Sequence, residues 1–183
     1  MMEERITSRK NPLLQQVKKL LSSRKERENA GLFVADGTKL LEEAVKYWPG
    51  LQTVILSDGV EADVPENVRI VRVPEDVMAS ISPMEAPQGA LFLCRLPEKK
   101  SFVPQPSMLL LDGIQDPGNL GTILRSCLGF GYKDIAIIRP AVDIFDPKTV
   151  RASMGALFGV RFAYFDTFEE YAKLVGERAF YHF

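Results

Sequence analysis

Residues Met108 to Phe130, MLLLDGIQDPGNLGTILRSCLGF, decide how the rest of the chain reads. Met108 to Leu111 are four apolar residues, too few for a helix and the right length for a buried parallel strand. A turn rich in glycine and aspartate follows. Leu120, Ile123, Leu124, Cys127 and Leu128 then recur at helical spacing and make one apolar stripe. Asn119 suits the N-cap of that helix, and Asp116-Pro117-Gly118-Asn119 suits a turn with proline second and glycine third. A strand, a glycine-containing loop and a helix N-terminus form a general anion-binding corner, because unpaired backbone N–H groups point outward there. Arg125 stands off the apolar stripe and shares its face with Gly121 and Gly129. Those glycines remove side chains beside a guanidinium, so a large ligand or another backbone can approach it. Neither G-x-G-x-x-G nor G-x-x-x-x-G-K-[ST] occurs in the chain.

The 183 residues are enough for one large domain or two small ones. Hydrophobic content of 46% and charged content of 26% are those of an ordinary globular protein. Net charge is −1 and the pI about 5.9, so no global basic field exists and a nucleic-acid role must rest on local patches. Cys94 and Cys127 fall in a predicted strand and a predicted helix without metal-like spacing, which reads as buried free thiols in a reducing compartment. The opening MMEERITSRKNP has no apolar core of a signal peptide, and no apolar run reaches membrane-spanning length. The expectation is a cytoplasmic protein with no membrane partner and no metal.

Upstream, Asn11-Pro12 is an N-cap followed by proline, and Leu13, Leu14, Val17, Leu20 and Leu21 line one helix face. Lys10, Lys18, Lys19, Arg24 and Lys25 surround it, with Arg5, Arg9 and Arg27 nearby, a local positive excess able to meet phosphates. A solvated helix face explains the same charges. Strands are predicted at 33–35, 53–56, 68–73 and 89–94, with helices at 38–47 and 74–81. The run Gly89 to Cys94 is apolar on both faces and so central. This alternation is a small α/β domain over residues 1–97. Residues 98–107 carry prolines and no periodicity, a semi-rigid linker. Beyond the opening stretch come a strand at 134–138, a turn at 143–147 and a helix through KTVRASMGALFGV. There Val150, Met154 and Leu157 make the core face and leave Lys148 and Arg151 spare. A strand at 160–164 follows, then a helix capped by Thr167 and Glu170 and ending at Gly176. A last strand begins at Ala179, and His182 within it is given no role.

Asp116-Pro117-Gly118-Asn119-Leu120-Gly121, with Arg125 six residues after Asn119, resembles the first motif of the SpoU (TrmH-like) RNA 2′-O-ribose methyltransferases of the SPOUT superfamily. Asp146-Pro147-Lys148 through Arg151-Ala152-Ser153-Met154-Gly155-Ala156 resembles a second segment of that family. Lys10-Asn11-Pro12, the segment FVADGT from Phe33 to Thr38, and Pro87-Gln88-Gly89 are similar to the substrate-binding domain preceding the catalytic domain in many members. Asp36 stands where glutamate is commoner.

The resemblance implies an α/β fold. A small N-terminal RNA-binding domain would precede, over residues 108–183, the first half of a parallel-sheet catalytic domain that is knotted when complete. It also implies S-adenosylmethionine as cofactor, RNA as partner (ribosomal more than transfer RNA) and a homodimer. Arg125 would be the catalytic arginine, binding phosphate and stabilising a developing alkoxide rather than acting as a base. Asn119 would hold the loop and the substrate ribose, or serve only as the helix cap. Lys148, Arg151 and Ser153 would form an RNA-phosphate surface. Two later family motifs, a glycine-and-glutamate loop and a Ser-Leu-Asn segment, do not occur here, and in the family they complete the cofactor pocket. The expectation is therefore weak cofactor binding by this chain and an uncovered apolar face at Leu120, Leu124 and Leu128. An RNA-binding protein without catalysis and a nucleotide- or phosphate-binding α/β protein are the competing readings.

Overall fold

The computed structural model describes residues 3–98 and 103–176. In chain order its elements are β1 (Glu4–Arg5), α1 (Pro12–Ser22), α2 (Arg24–Ala30), β2 (Leu32–Asp36), α3 (Thr38–Tyr47), β3 (Leu51–Ser57), β4 (Arg69–Val73), α4 (Glu75–Ile81) and β5 (Ala90–Arg95). After these come β6 (Leu109–Asp112), α5 (Pro117–Gly129), β7 (Asp134–Ile138), α6 (Pro147–Ala152), a 3-10 turn (Ala156–Gly159), β8 (Arg161–Phe165) and α7 (Phe168–Val175). The expected strand from Ala179, with His182, lies outside the described residues.

The first five strands form one mixed sheet in the order β1-β4-β3-β5-β2. β3 runs parallel to β4 and antiparallel to β5, which in turn pairs antiparallel with β2. Successive side chains of a strand point to opposite faces, and β5 shows the consequence. Leu91 and Leu93 meet Leu14, Val17 and Leu20 of α1 and Val77 and Met78 of α4 on one face. Ala90, Phe92 and Cys94 meet Leu41 and Ala44 of α3 on the other. Hence the run that reads as central is central.

The second sheet, β6-β7-β8, is parallel throughout. β7 is buried along its length, but β6 is half-buried at Leu109 and Leu110, so it is not the fully buried strand its composition predicts. Leu120 and Leu124 are fully buried, which overturns the expected bare face. They belong to one apolar cluster that runs through both sheets and takes in Phe33, Phe92, Phe145 and Phe158. The ring of Phe33 lies 4.6 Å from that of Phe145, and Trp48 lies 5.7 Å from Phe158. The two units thus share a core across the predicted linker.

Three local readings change. Asp116, not Asn119, caps α5: its carboxylate accepts from the Asn119 N–H at 2.7 Å, and Pro117 takes the first helical position, where a missing N–H costs nothing. The helix expected through Leu157 stops at Ala152, because Met154 (φ 50°) and Gly155 (φ 93°) turn the chain left-handed. Met154 is therefore exposed, while Val150 and Leu157 are buried as expected. The short helix α2 carries no apolar stripe to announce it; Ser23 caps it by accepting from the Glu26 N–H.

Candidate functional site

α5 and α6 cross at Gly121. A Cβ there would lie 2.5 Å from Ala152 Cβ and 2.8 Å from the Ser153 N, closer than atoms pack, so glycine lets the end of α6 lie across α5. Of the two approaches the flanking glycines allow, the one at Gly121 is taken by backbone; Gly129 faces open space. The crossing sets Arg151 to Ser153 against the turn of α5 between Asn119 and Arg125. Asn119 and Arg125 are both exposed, and among the described residues Arg125 has no ion-pair partner.

Lys148 is exposed at the start of α6, where its N–H is held by the Asp146 carboxylate at 2.9 Å. Arg151 is half-buried, with Nη1 2.9 Å from the Met84 sulfur of the first unit. Ser153 is fully buried, and its hydroxyl donates to the Val150 carbonyl at 2.7 Å. The expectation that Ser153 meets RNA is corrected: it closes the end of α6 and has no surface to offer.

The N-terminal cluster is thinner than its charges suggest. Arg27 is buried and donates to Asp143 of the second unit at 2.8 and 3.2 Å and to the Leu20 carbonyl at 2.8 Å. Arg24 pairs with Glu28 one turn on, Arg5 with Asp58 and Arg9 with Asp76. Lys10, Lys19 and Lys25 are exposed and Lys18 half-buried, and among the described residues no ion pair engages them. A cleft of about 380 Å³ between α1 and α2 is lined by Gln15, Gln16, Lys19 and Glu26. A second of about 670 Å³ lies along β1 and β4 beside Glu3, Glu4, Glu66 and Arg69.

Sequence reasoning attached no chemistry to Asp36 beyond its place in FVADGT. At the end of β2 it accepts from the Ser82 hydroxyl at 2.5 Å, and burial raises its carboxyl above the usual range. Tyr164 donates to the Val142 carbonyl at 2.8 Å and accepts from the Ile144 N–H at 2.9 Å, and burial pushes its phenol up to about 12. Both cysteines are free and buried, and burial raises both thiols. Among the described residues no group of three or more His, Cys, Asp or Glu side chains is placed to hold a metal ion, and no helix is long and apolar enough to cross a membrane.

A mixed sheet with helices on both faces, packed on a parallel unit whose glycine-notched helix presents an unpaired arginine, defines a two-unit α/β protein with an anion-receptive face. Residues 106–183 match the SpoU rRNA Methylase family, and residues 11–91 match the MRM3-like substrate binding domain. The 23S rRNA (guanosine(2553)-2'-O)-methyltransferase RlmP of Bacillus subtilis (strain 168) is 32% identical over 86% of this chain and 63% of its own length. The rRNA methyltransferase 3, mitochondrial, of Xenopus tropicalis is 34% identical over 79% of this chain and 38% of its own. The AdoMet-bound rRNA methyltransferase from Sinorhizobium meliloti superposes with a TM-score of 0.80 at 25% identity, over 94% of this chain and 68% of that one. The chain belongs to the SpoU rRNA methylase family, and it spans between about two fifths and two thirds of the length of the two curated relatives.

Proposed function

We propose that the protein transfers a methyl group from S-adenosylmethionine to a ribose 2′-hydroxyl of ribosomal RNA. In this reading residues 1–97 grip the RNA, residues 98–107 join the units and residues 108–183 carry the chemistry. The observation that carries it is Arg125, exposed and unpaired on the helix that Gly121 docks against α6. The rRNA methyltransferases named above support the substrate class, and the AdoMet-bound Sinorhizobium structure supports the cofactor. A cytoplasmic location and a homodimer belong to the same reading; the bacterial relative supports the first, and the family resemblance alone supports the second.

The cofactor supplies the methyl group when bound. What this chain's own residues do is hold the nucleophile. A guanidinium keeps its proton in proteins and presents a planar fork of donors, so Arg125 binds a phosphate through two parallel bonds and stabilises charge growing on the ribose oxygen. Asp116 occupies the cap, which leaves the Asn119 carboxamide free to hold the ribose. Lys148 and Arg151 extend the positive face along the RNA backbone.

Arg125→Ala in the intact protein tests this. Methylation of ribosomal RNA is expected to fall by at least about a hundredfold, roughly 2–3 kcal/mol of transition-state stabilisation, with the melting temperature unchanged. Wild-type turnover on saturating RNA would sink the assignment.

A further inference from the structure

At the seam between the two units a carboxylate and a guanidinium meet the same turn without pairing: the Ser82 hydroxyl that donates to Asp36 accepts from the Met84 N–H at 3.1 Å, and Arg151 touches the Met84 sulfur. Asp36 ends β2, half-buried, and its hydrogen bond is the one from Ser82. Arg151 stands on α6, also half-buried, and its contact is with the thioether of Met84, a weak acceptor. Among the described residues neither has an ion-pair partner within 4.0 Å, yet the charge of Arg151 is felt at Asp36 and opposes the effect of burial there. Partly desolvated charges with unused hydrogen-bonding capacity are costly unless something completes them. The same seam closes a full ion pair between Arg27 and Asp143, so the gap is not a general looseness of the interface. Near α6 the units are also in close contact: a Cβ at Gly155 would lie 2.8 Å from Glu43 Cγ.

What would complete the pair is set by chemistry. Most of the five N–H donors of Arg151 remain for an anion, and the free lone pairs of Asp36 remain for an O–H or N–H donor. A ribonucleotide carries both groups close together, a phosphate and a ribose 2′-hydroxyl. A deoxyribonucleotide carries only the first.

We propose that Asp36 and Arg151 form a ribonucleotide subsite at the seam, Arg151 taking a phosphate and Asp36 accepting from a 2′-hydroxyl of a nucleotide neighbouring the one held by Arg125. This rests on the RNA reading above and names where the RNA passes from the first unit to the second. Asp36 is then a specificity-determining residue that tells RNA from DNA.

The test is equilibrium binding of the purified protein to a 23S rRNA transcript and to single-stranded DNA of identical sequence, across a salt series. Asp36→Asn is expected to weaken RNA binding roughly tenfold, the worth of a hydrogen bond to a charged group, and to leave DNA binding where it was. Arg151→Met, which leaves Asp36 and Ser82 in place, is expected to weaken both and to reduce the salt slope by about one. Equal effects of Asp36→Asn on RNA and DNA, or none on either, would overturn the subsite while leaving the RNA reading intact. Should Asp36→Asn not fold, an unchanged salt slope in Arg151→Met overturns it instead. A wild-type protein that ignores the transcript overturns both.

Discussion

Around the first sheet, arginines close on carboxylates: Arg5 on Asp58, Arg9 on Asp76, Arg24 on Glu28, Arg69 on Glu4, and Arg72 on Glu3 and Glu61. On the face made by α5 and α6, Arg125 and Lys148 close on nothing among the described residues, and Arg151 meets only sulfur. The difference teaches that a cation's availability depends on which carboxylates the fold brings within reach: Arg139 and Arg161 of the second unit close on Asp166 and Asp134, while Arg125 stays free among the described residues. The extreme case is Arg27, a buried strut between the halves.

Breaking that strut is expected to have the largest effect. Arg27→Met leaves Asp143 in a poorly hydrated seam without its partner and should cost about 3–5 kcal/mol in urea unfolding. Arg24→Met, which breaks an exposed pair one turn away, should cost less than about 1 kcal/mol. Equal losses would erase the distinction between buried and exposed struts.

Tyr164 probes the loop that Arg27 clamps. A phenol in the unfolded chain titrates near 10, whereas here burial pushes it up to about 12. The folded state holds this proton more tightly, so the contribution of Tyr164 is intact below pH ~10 and is lost as pH rises through about 12, some 2–3 kcal/mol in all. Stability measured from pH 9 to 12 should show this loss in the wild type and a shallower one in Tyr164→Phe; parallel curves would refute it.

Two glycines sharpen the contrast within one helix. Gly121→Ala gains helix propensity but drives a methyl into Ala152 and the α6 backbone, a net loss of about 1–3 kcal/mol. Gly129→Ala meets nothing and should be neutral or mildly stabilising. Were both to raise the melting temperature, the α5–α6 crossing would be wrong.

The smallest effect concerns the N-terminal cluster. Neutralising Lys18, Lys19, Arg24 and Lys25 together should weaken RNA binding by about tenfold and flatten its dependence on salt. Restoring Arg24 alone should recover little of that slope, since Glu28 already engages it. A slope unchanged by all four substitutions would make the cluster a solvated helix face.

Much of this architecture is legible in the chain. The short apolar run Phe33–Ala35 and the doubly apolar Ala90–Cys94 announce β2 and the central β5, and the spacing of Leu40, Leu41 and Ala44 announces α3 to the residue. Thr167 caps α7 as read, its hydroxyl accepting from the Glu170 N–H. The motif around Asp116 to Arg125 points to the candidate site proposed above. Misreadings cluster where two local signals compete: Asp116 and Asn119 are both good caps, and Pro117 decides for the first. Met154 continues an apolar period that its left-handed backbone interrupts.

Local order, then, determined by itself the elements, their apolar faces and the motif, because periodicity and capping act within a few residues. Only the tertiary structure decided which charges remain available. Arg27 finds Asp143 across 116 positions, Gly121 admits Ala152, and Ser153 is buried although its neighbour Met154 is exposed. Ion pairing and close packing depend on separations in space, and strand order and helix crossing set these.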